Sequence, residues 1–439
     1  IVLDDDPTGS QTVHSCLLLT RWDVATLKTA LAAAAPLFFI LTNTRGMDAA
    51  RAAAVTREVC ANLKAALANY AGPVLFVSRS DSTLRGHYPV ETDVMNDVLG
   101  PFDATLLTPA FFEGGRITRD STHYLMIDGK PVPTHETEFA RDSVFGYRTA
   151  YLPDYVAEKT GGRVAADSVQ RLTLADLRTG HTDTWLAKLH DNAIGVIDGE
   201  TPDDYRVFAD AVLKAAACGK RLLFRSAASL LTALAKLPPQ PVVAESFATL
   251  VRDGQPGAIV VGSHVAKTTA QLTALLKERG VVGLPLNVAR LPGERAAVVD
   301  ELTANIAHAH ASGLTPVVFT SRTELQFASV AERLAFGEAV SGTLMDVVRK
   351  LPTTLGFLIS KGGITSNDVL STGLELTASR VLGQILPGVT VVQTPPEHRL
   401  PQLPVVIFPG NVGGDGALAE AYRRLAPSHA QTSPAKLAA

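Results

Sequence analysis

The chain has 439 residues, of which 46% are hydrophobic and 19% charged, so it can bury the cores of two domains. A formal net charge of -3 indicates neither nucleic acid nor an anionic membrane as a partner. No apolar run reaches the roughly 20 residues of a membrane span, and three scattered cysteines predict no disulfide framework. Because no signal-peptide pattern opens the sequence either, we expect a cytoplasmic protein.

Short apolar runs alternate with helical patterns through the first half of the chain. This alternation predicts an α/β fold, and the helical pattern at residues 49–67 is typical of the crossover that joins parallel strands. We therefore expect a largely parallel sheet flanked by helices. Its predicted strands cover residues 37–41, 74–77, 105–107, 194–197 and 222–224.

A proline-rich segment, residues 237–241, ends this first series of elements. Adjacent prolines cannot continue a helix, so we predict one domain over residues 1–238 and a second over residues 239–426. The small, polar residues 427–439 are typical of a flexible tail. In the second domain, predicted strands cover residues 258–261, 316–319, 355–359, 390–393 and 405–408, with helices at 268–278 and 296–310.

Polar clusters directly follow the predicted strands of the first domain. Asp4, Asp5 and Asp6 come first, and three adjacent carboxylates repel one another unless a cation, a basic side chain or a hydroxyl compensates them. Ligands of open α/β sheets bind at the carboxyl ends of strands, where this cluster lies. A turn with side-chain caps is the alternative interpretation, since Pro7, Thr8 and their neighbours are turn formers.

A second cluster, residues 78–86, combines hydroxyls, one carboxylate and two guanidiniums. Arg binds carboxylates through paired hydrogen bonds, while Asp and Ser bind hydroxyls, so this segment suits a small hydroxylated acid. A helix cap at Ser80 or Asp81 is the alternative. Residues 42–45 and 114–116 follow two further strands, and together the four clusters predict a ligand site.

Three glycine-containing segments follow strands of the second domain, at residues 262–264, 360–366 and 409–416. Their backbone N–H groups can surround a phosphate. The first segment does not open a Walker A loop. The stretch from Gly262 to Lys267 is one residue shorter than that motif requires, and Ala266 stands where the second glycine belongs. Each glycine pair alone could be a tight turn, but three of them on successive strands predict a nucleotide site.

These motifs resemble the four-carbon acid sugar kinases, formerly a domain of unknown function, which phosphorylate 3-oxo-tetronate, D-threonate or D-erythronate with ATP. The resemblance implies an N-terminal substrate domain, a C-terminal nucleotide domain, an active site in the cleft between them, and Mg²⁺ bound with ATP. It leaves assembly as a homo-oligomer open and names no metal ligands. The matching residues are 5–9, 81–86, 109–111, 115–116, 262–263, 362–365 and 410–413.

Individual roles are also predicted. The acidic triplet suggests that Asp5 or Asp6 orients or deprotonates the terminal hydroxyl that accepts the phosphate, and Arg85 is expected to bind the acid's carboxylate. The sugar-acid contacts are expected at Arg45, Arg79, Asp81, Ser82, Thr83, Arg85 and Arg116. The ATP contacts are expected at Ser263, Gly362, Gly363, Ile364, Thr365, Gly410 and Gly413.

Two other functions fit part of the sequence. Residues 1–8 satisfy the signature of haloacid dehalogenase-type phosphatases, with Asp4 as nucleophile and Asp6 as acid and base. That interpretation needs a downstream lysine and a paired-acid motif, and it leaves the glycine segments unexplained. A regulator that binds a nucleotide or a sugar acid without catalysis is the second alternative.

Overall fold

The computed structural model describes residues 1–33, 35–263, 265–321, 329–410 and 412–426. The chain divides into two compact units between Pro239 and Gln240, called here the N-terminal and C-terminal units. The predicted tail, residues 427–439, lies outside the described residues, and the active-site cleft between the domains stays a prediction. Among the described helices, none is both long and apolar enough to cross a membrane.

The N-terminal unit contains one large parallel sheet and one small antiparallel sheet. Its strands are β1 (Val2–Asp4), β2 (Leu17–Leu19), β3 (Phe38–Leu41), β4 (Phe76–Arg79), β5 (Ala104–Thr108), β6 (Arg116–Arg119), β7 (Thr122–Ile127), β8 (Lys130–Pro133), β9 (Gln170–Leu172), β10 (Ala193–Ile197) and β11 (Leu222–Ser226). The large sheet has the order β2-β3-β1-β4-β11-β5-β10-β9, with parallel pairs throughout.

Helices cover this sheet because their apolar residues recur at helical spacing. In α2, Val55, Val59 and Leu63 are buried on one face, and the Asp48 side chain caps the helix by accepting the Arg51 N–H at 2.8 Å. The predicted crossover helix is thereby confirmed. The helices are α1 (Val24–Ala32), α2 (Ala49–Ala66), α3 (Val90–Leu99), α4 (Leu152–Lys159), α5 (Leu174–Arg178), α6 (Thr182–Lys188), α7 (Pro202–Ala217) and α8 (Ala228–Ala235).

The small antiparallel sheet β6-β7-β8 was not predicted. Asp128 and Gly129 join β7 to β8 with φ values of 50° and 76°, the conformation of a tight hairpin turn. Most residues of these strands are only partly buried, so they lack the continuous apolar runs that reveal the parallel strands. This sheet matters for the site because β6 begins with Arg116.

The C-terminal unit is a second α/β layer structure with a mixed sheet. Its strands are β12 (Ala258–Val261), β13 (Val281–Leu286), β14 (Thr315–Thr320), β15 (Leu358–Lys361), β16 (Ala378–Leu386), β17 (Val389–Gln393) and β18 (Pro404–Phe408). Its helices are α9 (Ala266–Leu275), α10 (Leu291–Ala311), α11 (Val330–Arg349), α12 (Gly363–Asp368) and α13 (Ala417–Leu425). The sheet order is β13-β14-β12-β15-β18-β17-β16.

The sequence prediction for this unit is incomplete at both edges of its sheet, because neither β13 at one edge nor β16 at the other was predicted. The strands β13, β14, β12, β15 and β18, which are neighbours in this order, pair in parallel. The next strand, β17, runs antiparallel to both of its neighbours, β18 and β16. A turn at Gly388, where φ is 75°, folds β17 back on β16, and β16 was not predicted. The sheet is therefore mostly parallel and mixed.

In the sheet of each unit, the chain reverses its direction across the sheet beside the first strand, which makes a topological switch point there. The chain leaves β1 towards β3 and β2 on one side, and β4 lies on the other; β12 has the same relation to β14 and β15. At such a point the loops after two neighbouring strands separate and open a crevice at the carboxyl edge, where ligands of α/β sheets bind. The predicted polar and glycine segments lie at these two edges.

Candidate active site

The first carboxylate of the acidic triplet, Asp4, is enclosed within the N-terminal unit. Its side chain is fully buried and forms an ion pair with Arg79 at 3.2 Å, and its Oδ2 atom has no hydrogen-bond partner among the described residues. Burial raises the pKa of Asp4 to about 7, against the opposing effect of the Arg79 charge. Gly9 lies so close that a Cβ atom there would clash with this carboxylate. Asp4 thus has no face open to a ligand.

Asp5 ties three strand ends together. Its Oδ1 atom accepts a hydrogen bond from Arg45 Nη2 at 2.5 Å, and its Oδ2 atom accepts from Arg45 Nε at 3.1 Å and from Ser80 Oγ at 2.6 Å. Arg45 follows β3 and Ser80 follows β4, while Asp5 follows β1. The Asp5 side chain is 1% exposed, so its contacts are those of a structural group.

Asp6 is the accessible member of the triplet, with 21% of its side chain exposed. Its Oδ1 atom accepts hydrogen bonds from the Thr8 hydroxyl at 2.5 Å and the Thr8 N–H at 2.8 Å, and Arg45 lies 3.3 Å from its Oδ2 atom. Burial by itself would raise the pKa of Asp6, but the Arg45 and Arg79 charges and the Thr8 hydrogen bonds hold it below its ordinary value. Asp6 is therefore an ionised and reachable carboxylate.

The predicted sugar-acid loop after β4 forms a second charged group around Asp81. Arg85 Nε donates to Asp81 at 2.8 Å, the Thr83 hydroxyl also donates to it, and the Arg85 guanidinium packs over the Phe139 ring at 4.9 Å. Although burial opposes ionisation, the charges of Arg45 and Arg85 keep the pKa of Asp81 far below its ordinary value. Arg85, expected to bind the acid's carboxylate, is thus already paired.

Buried aromatic side chains that were not predicted to belong to the site form hydrogen bonds with the backbone carbonyls of this loop. His123 Nε2 lies 2.7 Å from the Ser82 carbonyl, and the hydroxyl groups of Tyr147 and Tyr155 donate at 2.8 Å to the carbonyls of Thr83 and Leu84. Burial lowers the pKa of His123 to about 4, so the ring is neutral and donates from Nε2. Their spacing in the sequence carries no signal, because each makes its contact from a different element.

Arg116 differs from the other arginines of this site. Arg45, Arg79 and Arg85 are paired with aspartates, whereas Arg116 forms no ion pair within the described ranges. Its Nη1 atom donates to the Gly114 carbonyl, and its buried Nε atom has no hydrogen-bond partner there. Burial lowers the pKa of Arg116, and the nearby Asp81 charge opposes this. Arg116 is the predicted contact whose guanidinium can still bind a carboxylate.

In the C-terminal unit, the predicted nucleotide segments meet at the switch point between β12 and β15. A Cβ atom on Gly262 would clash with Thr365, and one on Gly362, where φ is 113°, would lie 3.3 Å from the Ser263 Cβ. The two loops are therefore in contact only because both positions are glycine. Ile364 projects outward and is 69% exposed, and Gly363 begins α12.

The third glycine segment, after β18, contacts the same crevice. The Gly410 carbonyl lies 3.4 Å from the Thr268 hydroxyl, which is itself 3.3 Å from the Ser263 hydroxyl. Gly413 has a φ of 78° and precedes α13. His264 and Asn411, which belong to the sequence motifs, lie outside the described residues. The predicted contacts from Ser263 to Gly413 thus belong to three adjoining loops.

Lys361, which the sequence analysis did not single out, lies beneath these loops. Its side chain is fully buried, and its Nζ atom donates to the carbonyls of Pro409 and Gly410 and lies 4.5 Å from the centre of the Phe408 ring. Burial, helped by the Lys267 charge, lowers the pKa of Lys361 to about 7. A buried cation at a glycine-rich edge favours an anionic ligand.

The described residues contain no cluster of three or more His, Cys, Asp or Glu side chains suited to hold a metal ion. Mg²⁺ in nucleotide enzymes is usually bound by phosphates, water and one or two carboxylates. The side chains present therefore suit Mg²⁺ carried by a nucleotide better than a metal cage made of protein alone.

Comparison with known proteins adds the identity of the two halves. The model of a sugar-binding N-terminal domain matches residues 1–234, which is more than half of the chain, and that of a nucleotide-binding C-terminal domain matches residues 258–418. A D-erythronate kinase from Heliobacterium modesticaldum (strain ATCC 51547 / Ice1) is 34% identical over 157 residues, or 35% of this chain. The matching segment covers only 33% of that enzyme.

Two solved structures share the fold over nearly the whole chain. A Haemophilus influenzae protein aligns with a TM-score of 0.66 and 18% identity, covering 97% of this chain and 99% of its own. A Salmonella typhimurium LT2 protein aligns with a TM-score of 0.70 and 17% identity, covering 96% and 98%. At such low identity the likeness shows the fold alone.

Proposed function

Since the chain belongs to the four-carbon acid sugar kinase family, we propose that it transfers the terminal phosphate of ATP to a hydroxyl of a four-carbon sugar acid. The acids in question are of the erythronate, threonate or 3-oxo-tetronate type. The observation that carries this proposal is the pair of unlike sites. One unit offers an arginine, Arg116, that forms no ion pair among the described residues and lies near the ionised Asp81, and the other offers three adjoining glycine loops above a buried lysine. A D-erythronate kinase is similar to part of this chain, which supports the choice of acid.

In this proposal Arg116 binds the carboxylate of the acid. The other arginines of the site already neutralise aspartates, so recruiting one of them would leave a partly buried carboxylate without its partner. Arg116 loses no such pairing, and its guanidinium can form two parallel hydrogen bonds with a carboxylate. Asp81, held ionised between Arg85 and Thr83, is suited to accept a hydrogen bond from a hydroxyl of the substrate.

Asp6 rather than Asp5 is the catalytic group in this proposal. Both oxygens of Asp5 are occupied by Arg45 and Ser80, whereas Asp6 is exposed enough to reach the acceptor hydroxyl. The hydroxyl oxygen forms the new P–O bond, the bond between the terminal phosphorus and the bridging oxygen breaks, and the proton passes to Asp6 or to water. Because phosphoryl transfer needs mainly alignment and charge neutralisation, a carboxylate with a lowered pKa suffices to orient the hydroxyl.

The C-terminal unit binds the nucleotide. Gly410 allows a phosphate to approach the backbone, because a Cβ added there would meet no atom of the described residues within 4 Å, so that side of the loop is open. Mg²⁺ bound with ATP would neutralise phosphate charge. The sugar-acid kinase therefore combines recognition by side chains with recognition by the backbone.

The phosphatase alternative lacks support. A phosphatase of that type needs Asp4 as an accessible nucleophile, but Asp4 is sealed between Arg79 and Gly9 and holds a raised pKa. A carboxylate that has no face open to a substrate, and that is only partly ionised near neutral pH because its pKa is raised to about 7, does not attack phosphorus.

The proposal is tested by measuring ADP release from Mg-ATP with D- and L-erythronate, D- and L-threonate and the 3-oxo-tetronates, and by detecting the phosphorylated acid by mass spectrometry. We expect turnover with at least one acid, with one ADP formed per phosphorylated acid. ADP release that is the same without any acid, or no ADP release with any of them, contradicts the proposal. Release of phosphate from a phosphorylated acid in the absence of ATP would instead favour a phosphatase.

A further inference from the structure

Buried side chains bind the carbonyl side of the loop between β18 and α13, called here the β18 loop, of which the structure describes residues 409–410 and 412–416. From α9, Gln271 Nε2 donates to the carbonyls of Val412 and Gly414, both at 2.9 Å. From β15, Lys361 Nζ donates to the carbonyl of Pro409 and, at 3.1 Å, to that of Gly410. Gln271 and Lys361 are both 0% exposed. Four carbonyls of one loop are thus held by two buried side chains.

This arrangement determines where the N–H groups of the loop point. A peptide unit is planar and trans, so its N–H points away from its C=O. Holding the carbonyls of Pro409, Val412 and Gly414 towards the core therefore turns the N–H groups of the next residues outward. A Cβ added at Gly410 or Gly414 would meet nothing within 4 Å among the residues that the structure describes. The β18 loop thus presents backbone donors to an open space.

The charge beneath the loop indicates which ligand these donors bind. Lys361 forms no ion pair in the part of the chain that the structure describes, and the charge of Lys267 of α9, which has the same sign, acts on it and lowers its pKa. Of the acids on neighbouring elements, Asp368 of α12 bonds the Ser341 hydroxyl, and Asp415 lies exposed in the loop itself. A buried cation without an anion is costly, and an anion outside the loop offsets that cost. Successive N–H groups with a cation behind them suit a phosphate.

We propose that Gln271 and Lys361 are positioning residues of the nucleotide site, which hold the β18 loop so that its N–H groups bind the phosphates of the nucleotide. This inference rests on the proposed nucleotide binding and adds what makes the loop selective for phosphate. Neither residue touches the nucleotide base in this account. Their loss therefore weakens the phosphate contacts and leaves base recognition intact.

Isothermal titration of ADP and of adenosine into the full chain separates these effects. Gln271→Met introduces an apolar side chain of similar length that cannot donate to the carbonyls of Val412 and Gly414. Losing two hydrogen bonds that orient the loop is expected to raise the Kd of ADP roughly ten- to a hundredfold. The Kd of adenosine is expected to change less than about twofold. Gln384→Met is the matched control, because Gln384 also bonds a backbone group of the same unit, accepting the Gly388 N–H at 2.8 Å.

Lys361→Gln provides a second variant that can still donate one hydrogen bond but carries no charge. It is expected to weaken ADP binding and to spare adenosine, and it covers the case in which Gln271→Met does not fold, which its circular dichroism spectrum would reveal. The inference is overturned if both variants bind ADP as the wild type does, or if adenosine weakens as much as ADP. A wild-type protein that binds no ADP at all would instead overturn the proposed function.

Discussion

The two units would recognise their ligands with different parts of the chain. In the N-terminal unit the proposed site consists of charged side chains, Asp6, Asp81 and Arg116, supported by buried aspartate-arginine pairs. In the C-terminal unit the loops are rich in glycine, and the buried charged side chain beside them, Lys361, lies underneath. A small acid with several hydroxyls needs specific side-chain partners, whereas phosphates can be bound by backbone N–H groups.

This difference decides which substitutions are informative. In the N-terminal unit, the question about each charged residue is whether it already forms an ion pair with another residue of the chain. In the C-terminal unit, a loop changes when the buried groups behind it change, because the loop itself offers few side chains. Substitutions of charged side chains in the first unit and of buried groups in the second should therefore have separate effects.

The largest effect is expected from Asp6→Asn. The amide can keep the position of the carboxylate but has no charge with which to orient the acceptor hydroxyl or to receive its proton, so kcat should fall about 10²- to 10⁴-fold while the KM values change little. Steady-state kinetics with Mg-ATP and the preferred acid measures both constants.

Asp5→Asn is the matched comparison for this variant. Asp5 holds Arg45 and Ser80 in the interior, so its replacement should lower the free energy of unfolding by about 3 kcal/mol, a typical cost of breaking a buried ion pair. Urea unfolding measures this change. Full turnover by Asp6→Asn would remove Asp6 from the mechanism.

Arg116→Gln should give the next largest effect. It removes the unpaired guanidinium, and losing a hydrogen-bonded charge is expected to raise the KM of the acid roughly ten- to a hundredfold, with a smaller change in kcat. Arg119→Gln is the control on the same strand, because Arg119 forms only an exposed pair with Glu200. A KM that changes equally in both variants would contradict the role of Arg116.

A smaller effect is expected in the pH dependence of ADP binding. The pKa of Lys361 is lowered to about 7, so the ammonium form, which favours a phosphate, predominates below pH 7 and is lost above it. The Kd of ADP should therefore rise above pH 7, by at most about tenfold per pH unit. The same titration with Lys361→Gln should lack this rise, and ionisation of ADP itself affects both proteins alike. Parallel profiles would show that Lys361 does not carry the phosphate charge.

The smallest expected effect is on the pH dependence of stability, and it concerns Asp4, a fully buried carboxyl group of the N-terminal unit. Its pKa is raised from 3.8 to about 7, so between these values the folded protein keeps a proton that the unfolded chain releases. The wild type should accordingly lose stability as the pH rises through this range. In Asp4→Asn this loss should be absent, which urea unfolding at pH 5 and pH 7.5 measures. Equal slopes would mean that Asp4 is ionised throughout.

Much of the fold could be predicted because buried parallel strands are continuous apolar runs. Each predicted strand overlaps an observed one, as β12 at Ala258–Val261 illustrates. Strands with mixed exposure were missed: β6 to β8 form a small surface sheet, and β16 pairs with β17 through a turn at Gly388. A short run of partly exposed residues does not differ from a loop in sequence alone.

The candidate site could be predicted as a set of positions but not as a set of partners. The rule that ligands bind at strand ends gathered Asp5, Arg45 and Ser80, and in the structure Arg45 and Ser80 both bond to Asp5. That Arg85 is paired with Asp81, four residues before it, while Arg116 is not, depends on the conformation of the loop after β4, which the sequence does not specify. Gln271 escaped notice because it lies inside α9, 141 residues from the Val412 carbonyl that it binds.

The central claim is that side chains of one unit bind the acid and the backbone of the other binds the phosphates. One calorimetric experiment tests it directly: titration of the preferred acid and of ADP, separately, into the wild type, Arg116→Gln and Gln271→Met. We expect a crossed result, in which Arg116→Gln weakens binding of the acid alone and Gln271→Met weakens binding of ADP alone. If either variant weakens both ligands equally, or each weakens the ligand assigned to the other, the division of roles between the two units is wrong.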